Sequence, residues 1–233
     1  MMTRDEAKLK LVAGGHILAA EGQGDLTRGH ISVRDPEDAS RFYIKPHSFG
    51  FDEMTVDNLV TCNLDGEKVE GWAPRHSEVF IHSEIFRMRP DIMSVIHTHP
   101  TYSVAFSASG RPLRALSQPS ALFLNNYGVY TGSIDLIRSQ DMGRGVAQAL
   151  EAYPVVFLKN HGVVVCGTSI DESVIIALML ENACQIQMIE EAAGETAPEF
   201  PTKDVMALRK KLLSPEQQEI NFNYLRRRVE RIK

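Results

Sequence analysis

Two histidines close together in the sequence could hold a metal ion. His97-Thr98-His99 ends a short β-like run, and side chains two residues apart on a strand point to the same face. A third ligand could come from His161, which lies between two β-branched runs where a tight turn is predicted. Three neutral imidazoles leave one coordination position open, which is typical of a catalytic rather than a structural metal site. A His-x-His pair alone is equally compatible with a structural role.

A carboxylate upstream of the histidine pair could act beside such an ion. Glu78 lies near the start of a predicted helix over 77–89. Near a metal it could be a fourth ligand or a general acid or base. The alternative is an ordinary acidic residue that the helix dipole stabilises at a helix N-terminus.

The pattern around these residues alternates helices with short strands. Apolar residues at helical spacing predict further helices over 4–21, 101–109, 135–151, 171–193, 202–213 and from 215 onward. Alternating or β-branched runs predict strands over 30–34, 41–44, 59–64, 67–69, 94–99, 155–158 and 163–166. Residues 115–131 are apolar but irregular, and Asp65-Gly66 predicts a type I′ hairpin turn. Together these elements predict an α/β fold with three layers around a mainly antiparallel central sheet, as one domain over 1–233 with a C-terminal helical tail.

Composition excludes several functional classes. With 25 basic and 30 acidic side chains, the net charge of −5 gives no electrostatic footprint for nucleic acid. No apolar run approaches the ~18 residues of a membrane-spanning helix, and the N-terminal segment lacks the order of a signal peptide. The three cysteines have no CxxC spacing, which favours buried free thiols in a reducing compartment. We therefore expect a cytoplasmic protein that binds a small molecule and neither nucleic acid nor membrane.

The order of these motifs is similar to that of the class II aldolase/adducin family. The matching segments are Gly29-His30-Ile31-Ser32-Val33-Arg34, His76-Ser77-Glu78-x-x-x-His82, Arg89-Pro90-Asp91 with Ser94 to His99, and Lys159-Asn160-His161-Gly162. The resemblance extends over about residues 5–195. It implies that the chain forms one catalytic domain, a three-layer α/β/α sandwich. It also implies a cyclic homotetramer with the active site at a subunit interface and one divalent ion per subunit.

The resemblance also implies roles for individual residues. It makes His97, His99 and His161 the metal ligands and Glu78 the acid/base residue. Ligation by three imidazoles suits Zn²⁺, whereas an oxygen-rich chelating substrate favours Mn²⁺. Family aldolases use a tyrosine from a mobile or neighbouring segment, so Tyr127 or Tyr130 could be an auxiliary proton donor. A buried core tyrosine is at least as plausible at each position.

Three loops depart from the family members that act on sugar phosphates. Gly29 precedes His30 instead of Asn, residues 45–50 read Lys-Pro-His-Ser-Phe-Gly instead of a Pro-Ser-Gly loop, and His76 replaces a serine before Ser77. Small polar loops wrap a phosphate closely, whereas imidazoles, cations and an aromatic ring suit a flat anionic ligand. The candidate substrate-binding residues in these loops are Gly29, His30, His47, Arg75, His76 and Ser77. The alternative is that the histidines only fill or cap the loops.

These departures resemble the decarboxylase branch of the family. The resemblance implies a metal-dependent carboxy-lyase acting on an ortho-hydroxy aromatic or pyridine dicarboxylate, such as dihydroxyphthalate or the 3-hydroxy-2-methylpyridine-4,5-dicarboxylate of vitamin B6 degradation. Two alternatives stay open: a sugar-phosphate aldolase or epimerase like fuculose-phosphate aldolase, and a non-catalytic interaction module like the adducin head. The last class is expected to have lost metal ligands, which are intact here.

Overall fold

A single eight-stranded sheet organises the chain. The computed structural model describes residues 2–194 and 197–232. The strands are β1 (His30–Arg34), β2 (Arg41–Ile44), β3 (Val60–Asn63), β4 (Lys68–Glu70), β5 (Ser94–Thr98), β6 (Gly128–Tyr130), β7 (Val155–Leu158) and β8 (Gly162–Gly167). Their spatial order is β4-β3-β2-β1-β5-β8-β7-β6. Every neighbouring pair is antiparallel except β6 and β7, which are parallel, so the predicted mainly antiparallel sheet is confirmed.

Helices cover both faces of this sheet. They are α1 (Arg4–Ala20), α2 (Val79–Met88), α3 (Thr101–Ser109), α4 (Gln140–Leu150), α5 (Ile170–Ala192), α6 (Thr202–Leu212) and α7 (Pro215–Ile232). Alternate strand residues divide between two cores: Val163 and Val165 pack with α1, α3, α5 and α7, whereas Val164 and Cys166 pack with α2 and α4. This alternation is what a strand buried on both faces produces, and it confirms the three-layer arrangement.

The first helix shows how local chemistry fixes an element. Thr3 accepts a hydrogen bond from the Glu6 N–H, and the Glu6 carboxylate accepts one from the Thr3 N–H, so both form a capping box. The buried side of this helix then packs on the sheet through Leu11, Ile17 and Leu18. None of the helices in the two described ranges is long and apolar enough to cross a membrane.

Three local predictions were wrong. The short edge strand β6 was missed within the irregular segment 115–131, and α4 starts at Gln140 instead of 135 because the hydroxyl of Ser139 caps it. The type I′ turn at Asp65-Gly66 does not form, because only Gly66 has a positive φ there. Instead the Asn63 side chain accepts hydrogen bonds from the Asp65 and Glu67 N–H groups and closes a wider turn.

Candidate metal centre and substrate pocket

The pairing register of the central strands brings the histidines together at one end of these strands. His30 begins β1 and pairs directly with His97 near the end of β5. On the other side of β5, Thr98 pairs with Val163 of β8, so the turn that carries His161 lies at the same end of these strands. Antiparallel pairing of three neighbouring strands therefore gathers histidines that are far apart in the sequence.

One ring nitrogen from each of His97, His99 and His161 lies within 4.8 Å of the other two. The Nε2 atoms of His97 and His99 are 3.1 Å apart, and the rings of His99 and His161 are stacked. His97 Nδ1 lies 2.9 Å from the Val163 carbonyl, which can only accept a hydrogen bond, so Nδ1 carries the proton and Nε2 keeps its lone pair. This nitrogen set and spacing fit a divalent ion, with the backbone contact orienting one ligand as metal sites require.

A glycine allows this close approach. A Cβ at Gly162 would come within 2.6 Å of both His99 Cδ2 and the Thr98 carbonyl oxygen. The preceding Asn160 has φ +59°, a left-handed conformation that asparagine tolerates. Asp25 lies on the outer side, with a carboxylate oxygen 3.3 Å from His99 Nδ1. The turn thus brings His161 close to the other two rings, and the Asp25 carboxylate lies beside His99.

Glu78 faces the same point from the start of α2. Its carboxylate is 2 % exposed, with Oε1 3.8 Å from His161 Nε2 and Oε2 3.8 Å from His97 Nε2. The Ile137 N–H donates a hydrogen bond of 2.9 Å to Oε1, which fixes the side chain. The structure therefore brings together Glu78 and all three predicted ligands.

Burial keeps the imidazoles neutral. It lowers the pKa of His97 and of His99 to about 4 and that of His76 to about 3, and it lowers the pKa of His161. Since a histidine must be neutral to bind a metal, the site is in its binding form at neutral pH.

The predicted substrate loops surround Glu78. His30 Nε2 lies 3.7 Å from Glu78 Oε2, and the ring centroids of His30 and His76 are 4.0 Å apart. His47 is exposed, with its ring 5.3 Å from that of His76. Gly29 has φ +72°, and a Cβ there would meet the Phe51 ring and the His97 carbonyl, so backbone geometry requires glycine.

Two other predicted residues are placed less directly. The Arg75 guanidinium lies over the Phe80 ring and donates to the His76 carbonyl. Ser77 lies half-buried between His76 and Glu78. Both flank the pocket, and the contacts described for Arg75 are not with the histidine rings.

The two tyrosines are not brought to the histidines within one chain. The Tyr127 hydroxyl accepts a hydrogen bond of 3.0 Å from the Leu113 N–H, and its ring borders a separate cavity of about 340 Å³. Tyr130 packs with the core under α2 and α4. A larger cavity of about 620 Å³ reaches two of the candidate ligands. It is lined by His99, His161, Asp25, Arg28 and Asp135 among others.

Three residues beside this site are not among the predicted site residues: Ser32, Lys45 and His82. Ser32 is two residues from His30 on β1, and His82 is one helical turn after Glu78, so both spacings place them on the site's side. Lys45 was included in an anion-binding loop, but its amine donates to the carbonyls of Thr27, Pro46 and Phe49 at 2.5–3.3 Å. It serves as a fixed buried charge beside His30 and His76.

Lys45 gives a prediction for stability against pH. Burial lowers the pKa of Lys45 from 10.5 to about 8. Between these values the unfolded chain binds the proton and the folded chain does not, so rising pH favours folding. At about 1.4 kcal/mol per pH unit, we expect the unfolding free energy of the wild type to rise by about 2–3 kcal/mol relative to Lys45→Met between pH 7.5 and 10. Denaturant titrations of both proteins check this, and parallel pH profiles would contradict it.

The chain is similar to known proteins over most of its length. Residues 9–188 match the family described as the class II aldolase and adducin N-terminal domain. The chain is 34% identical over 223 residues to the meiotically up-regulated gene 14 protein of Schizosaccharomyces pombe, covering 92% of this chain and 86% of that one.

Two further relatives carry functional names. The 3,4-dihydroxyphthalate decarboxylase of a Terrabacter species is 30% identical over 216 residues, covering 87% of this chain and 89% of that protein. The structure of an L-fuculose 1-phosphate aldolase from Glaciozyma antarctica superposes with a TM-score of 0.87 at 31% identity, covering 98% of this chain and 90% of that one. Overall similarity is thus nearly equal to a decarboxylase and to an aldolase.

Proposed function

Because this chain belongs to the class II aldolase and adducin family, we propose that it is a divalent-metal-dependent decarboxylase of an ortho-hydroxy aromatic or pyridine dicarboxylate. One observation carries the choice of reaction. His30 and His76 lie beside Glu78, and the buried amine of Lys45 lies near both rings, at positions where the family members that act on sugar phosphates have small polar loops. Such a surface recognises flat carboxylates better than it wraps a phosphate.

The metal site supports lyase chemistry. In this proposal His97, His99 and His161 hold one ion per subunit, either Zn²⁺ or Mn²⁺. When bound, the ion supplies Lewis-acid stabilisation of negative charge that develops on the substrate. The same three ligands serve decarboxylation and aldol cleavage, so they do not distinguish the two reactions.

Glu78 performs the proton transfer in this proposal. As a carboxylic acid it donates its proton to the ring carbon that carries the departing carboxylate. The bond between that carbon and the carboxylate then breaks, CO₂ leaves, and the bonding electrons restore the aromatic ring. Glu78 recovers a proton from water. Its burial and its bond from the Ile137 N–H hold it at one position during this step.

The loop residues bind the second carboxylate of the substrate. His30 and His76 lie closest to Glu78, and His47 lies at the exposed mouth of the pocket. Gly29, Arg75 and Ser77 complete this proposed set. Tyr127 or Tyr130 would act as an auxiliary proton donor only across an interface, so this role belongs to a proposed homotetramer with its active site between subunits.

A sugar-phosphate aldolase or epimerase is the second candidate. It is favoured by the close superposition with the L-fuculose 1-phosphate aldolase of Glaciozyma antarctica. The substituted loops oppose it. A non-catalytic module like adducin is opposed by the intact grouping of Glu78 with the three histidines.

A substrate panel tests the choice. The purified protein, loaded separately with Mn²⁺ and Zn²⁺, is given dihydroxyphthalates, hydroxypyridine dicarboxylates, fuculose 1-phosphate and ribulose 5-phosphate. We expect CO₂ release from at least one hydroxylated dicarboxylate and no aldol cleavage or epimerisation. Robust turnover of a sugar phosphate would replace the proposal with the second candidate. A site that cannot be loaded with either ion would support the non-catalytic module.

A further inference from the structure

A chain of hydrogen bonds runs from the sheet to the pocket behind Glu78. Ser32 Oγ lies 3.5 Å from the Val95 carbonyl and 2.6 Å from His82 Nδ1. His82 Nε2 lies 2.5 Å from His30 Nδ1. All three side chains are fully buried, and His82 touches neither Glu78 nor the three metal-binding candidates through any described hydrogen bond.

These hydrogen bonds have a fixed donor-to-acceptor direction because the Val95 carbonyl can only accept a hydrogen bond. The Ser32 hydroxyl has one proton and donates it to this carbonyl, so it accepts from His82 Nδ1–H. A neutral imidazole has one donor and one acceptor nitrogen, so His82 Nε2 accepts from His30 Nδ1–H. His30 Nε2 is then left with a lone pair, and this buried atom has no hydrogen-bond partner in the described structure.

The neighbouring ring of His76 carries its proton on the other nitrogen. His76 Nδ1 accepts a hydrogen bond of 3.3 Å from the Glu78 N–H, so neutral His76 carries its proton on Nε2. The pocket thus offers an acceptor on His30 and a donor on His76, with ring centroids 4.0 Å apart. A hydroxyl beside a carboxylate on one ring presents the complementary donor and acceptor.

We propose that Ser32 and His82 are positioning residues that lock His30 as its Nδ1-protonated tautomer, so that His30 Nε2 accepts a hydrogen bond from the substrate hydroxyl. The identity of the donor as a ring hydroxyl rests on the proposed decarboxylase function. The tautomer itself does not, because it follows from contacts within the protein. This assigns His30 to the ring hydroxyl and leaves the second carboxylate to His76 and the other proposed loop residues.

Nitrogen NMR of the Zn²⁺-loaded protein, labelled with ¹⁵N-histidine, tests the tautomer without a substrate. Protonated and unprotonated ring nitrogens have distinct shifts, and the His30 signals are assigned by their loss in His30→Ala. We expect His30 protonated on Nδ1 in the wild type, and a mixture of tautomers in His82→Phe and Ser32→Ala. Ser94→Ala is the matched control, because this buried serine on β5 bonds to Ser173 instead. Protonation on Nε2, or unchanged His30 signals in both variants, would overturn the proposal.

Kinetics on the best substrate of the panel provides the second measurement. Residues behind the reacting groups typically change activity by about 10–100-fold, so we expect kcat/KM to fall by about that factor in His82→Phe and Ser32→Ala, with metal content unchanged. Wild-type turnover in both variants would refute a positioning role. If no panel member releases CO₂, the proposed function fails while the NMR result still decides the tautomer. Should His82→Phe not fold, Ser32→Ala carries both measurements.

Discussion

Replacing His161 with alanine is expected to remove the bound metal and to lower kcat/KM by about a thousandfold or more. The ring contributes one of the three nitrogens that lie within 4.8 Å of one another, and two imidazoles bind a divalent ion far less well than three. Lewis-acid stabilisation is worth several kcal/mol, and each 1.36 kcal/mol is a factor of about ten in rate. Metal analysis of the dialysed protein and steady-state kinetics provide the two measurements.

The control for this variant is His16→Ala. His16 lies on α1, where Nε2 contacts the Met54 carbonyl, so the variant removes an imidazole without touching the metal centre. We expect its metal content to match the wild type. Full metal content together with full turnover in His161→Ala would show that the three histidines do not form the catalytic metal site.

Replacing Glu78 with glutamine is expected to lower kcat by about 10²–10⁴-fold while the metal stays bound. Proton transfer by a positioned group typically contributes this factor, and an amide cannot supply the proton. The substitution preserves shape, and the amide oxygen can still accept the hydrogen bond from the Ile137 N–H. Folding and substrate binding should therefore change little, so the loss should be confined to kcat.

The metal content of Glu78→Gln separates two roles of the carboxylate. If Glu78 is the acid, the variant keeps its ion; if it is a fourth ligand, the ion is lost along with activity. Glu84→Gln is the matched control, because Glu84 is also buried on α2 but pairs with Arg87 at a distance from the histidines. Near-normal kcat in Glu78→Gln would contradict the proton-transfer role.

Much of the site could be predicted because its residues follow local rules. Side chains alternate between the two faces of a strand, so the side chains of His97 and His99 were predicted to point to the same face. The two β-branched runs indicated that His161 lies in a turn, and the family resemblance supplied its predicted role as the third metal ligand. The start of α2 similarly indicated the place of Glu78.

The remaining features depend on contacts between distant segments. The link from Ser32 to His82 forms only once α2 packs over β1, and neither residue's neighbours in sequence indicate it. From the sequence, Lys45 could be a cation that binds an anionic substrate. In the structure its amine instead donates hydrogen bonds to three backbone carbonyls. The strand β6 is only three residues long at a sheet edge, and its parallel pairing with β7 is set by tertiary packing.

The three metal-binding candidates lie at the end of paired central strands, and this position has a wider consequence. His97 lies on β5, His99 directly follows it, and His161 lies in the turn that joins β7 to β8, so the backbone pairing of these strands places all three near one another. We therefore expect folding and metal binding to be separate events, unlike in zinc fingers, where the ion drives the folding. We expect one folded apoprotein to exchange different divalent ions at equilibrium, so that cellular supply, as much as coordination geometry, determines which ion occupies it.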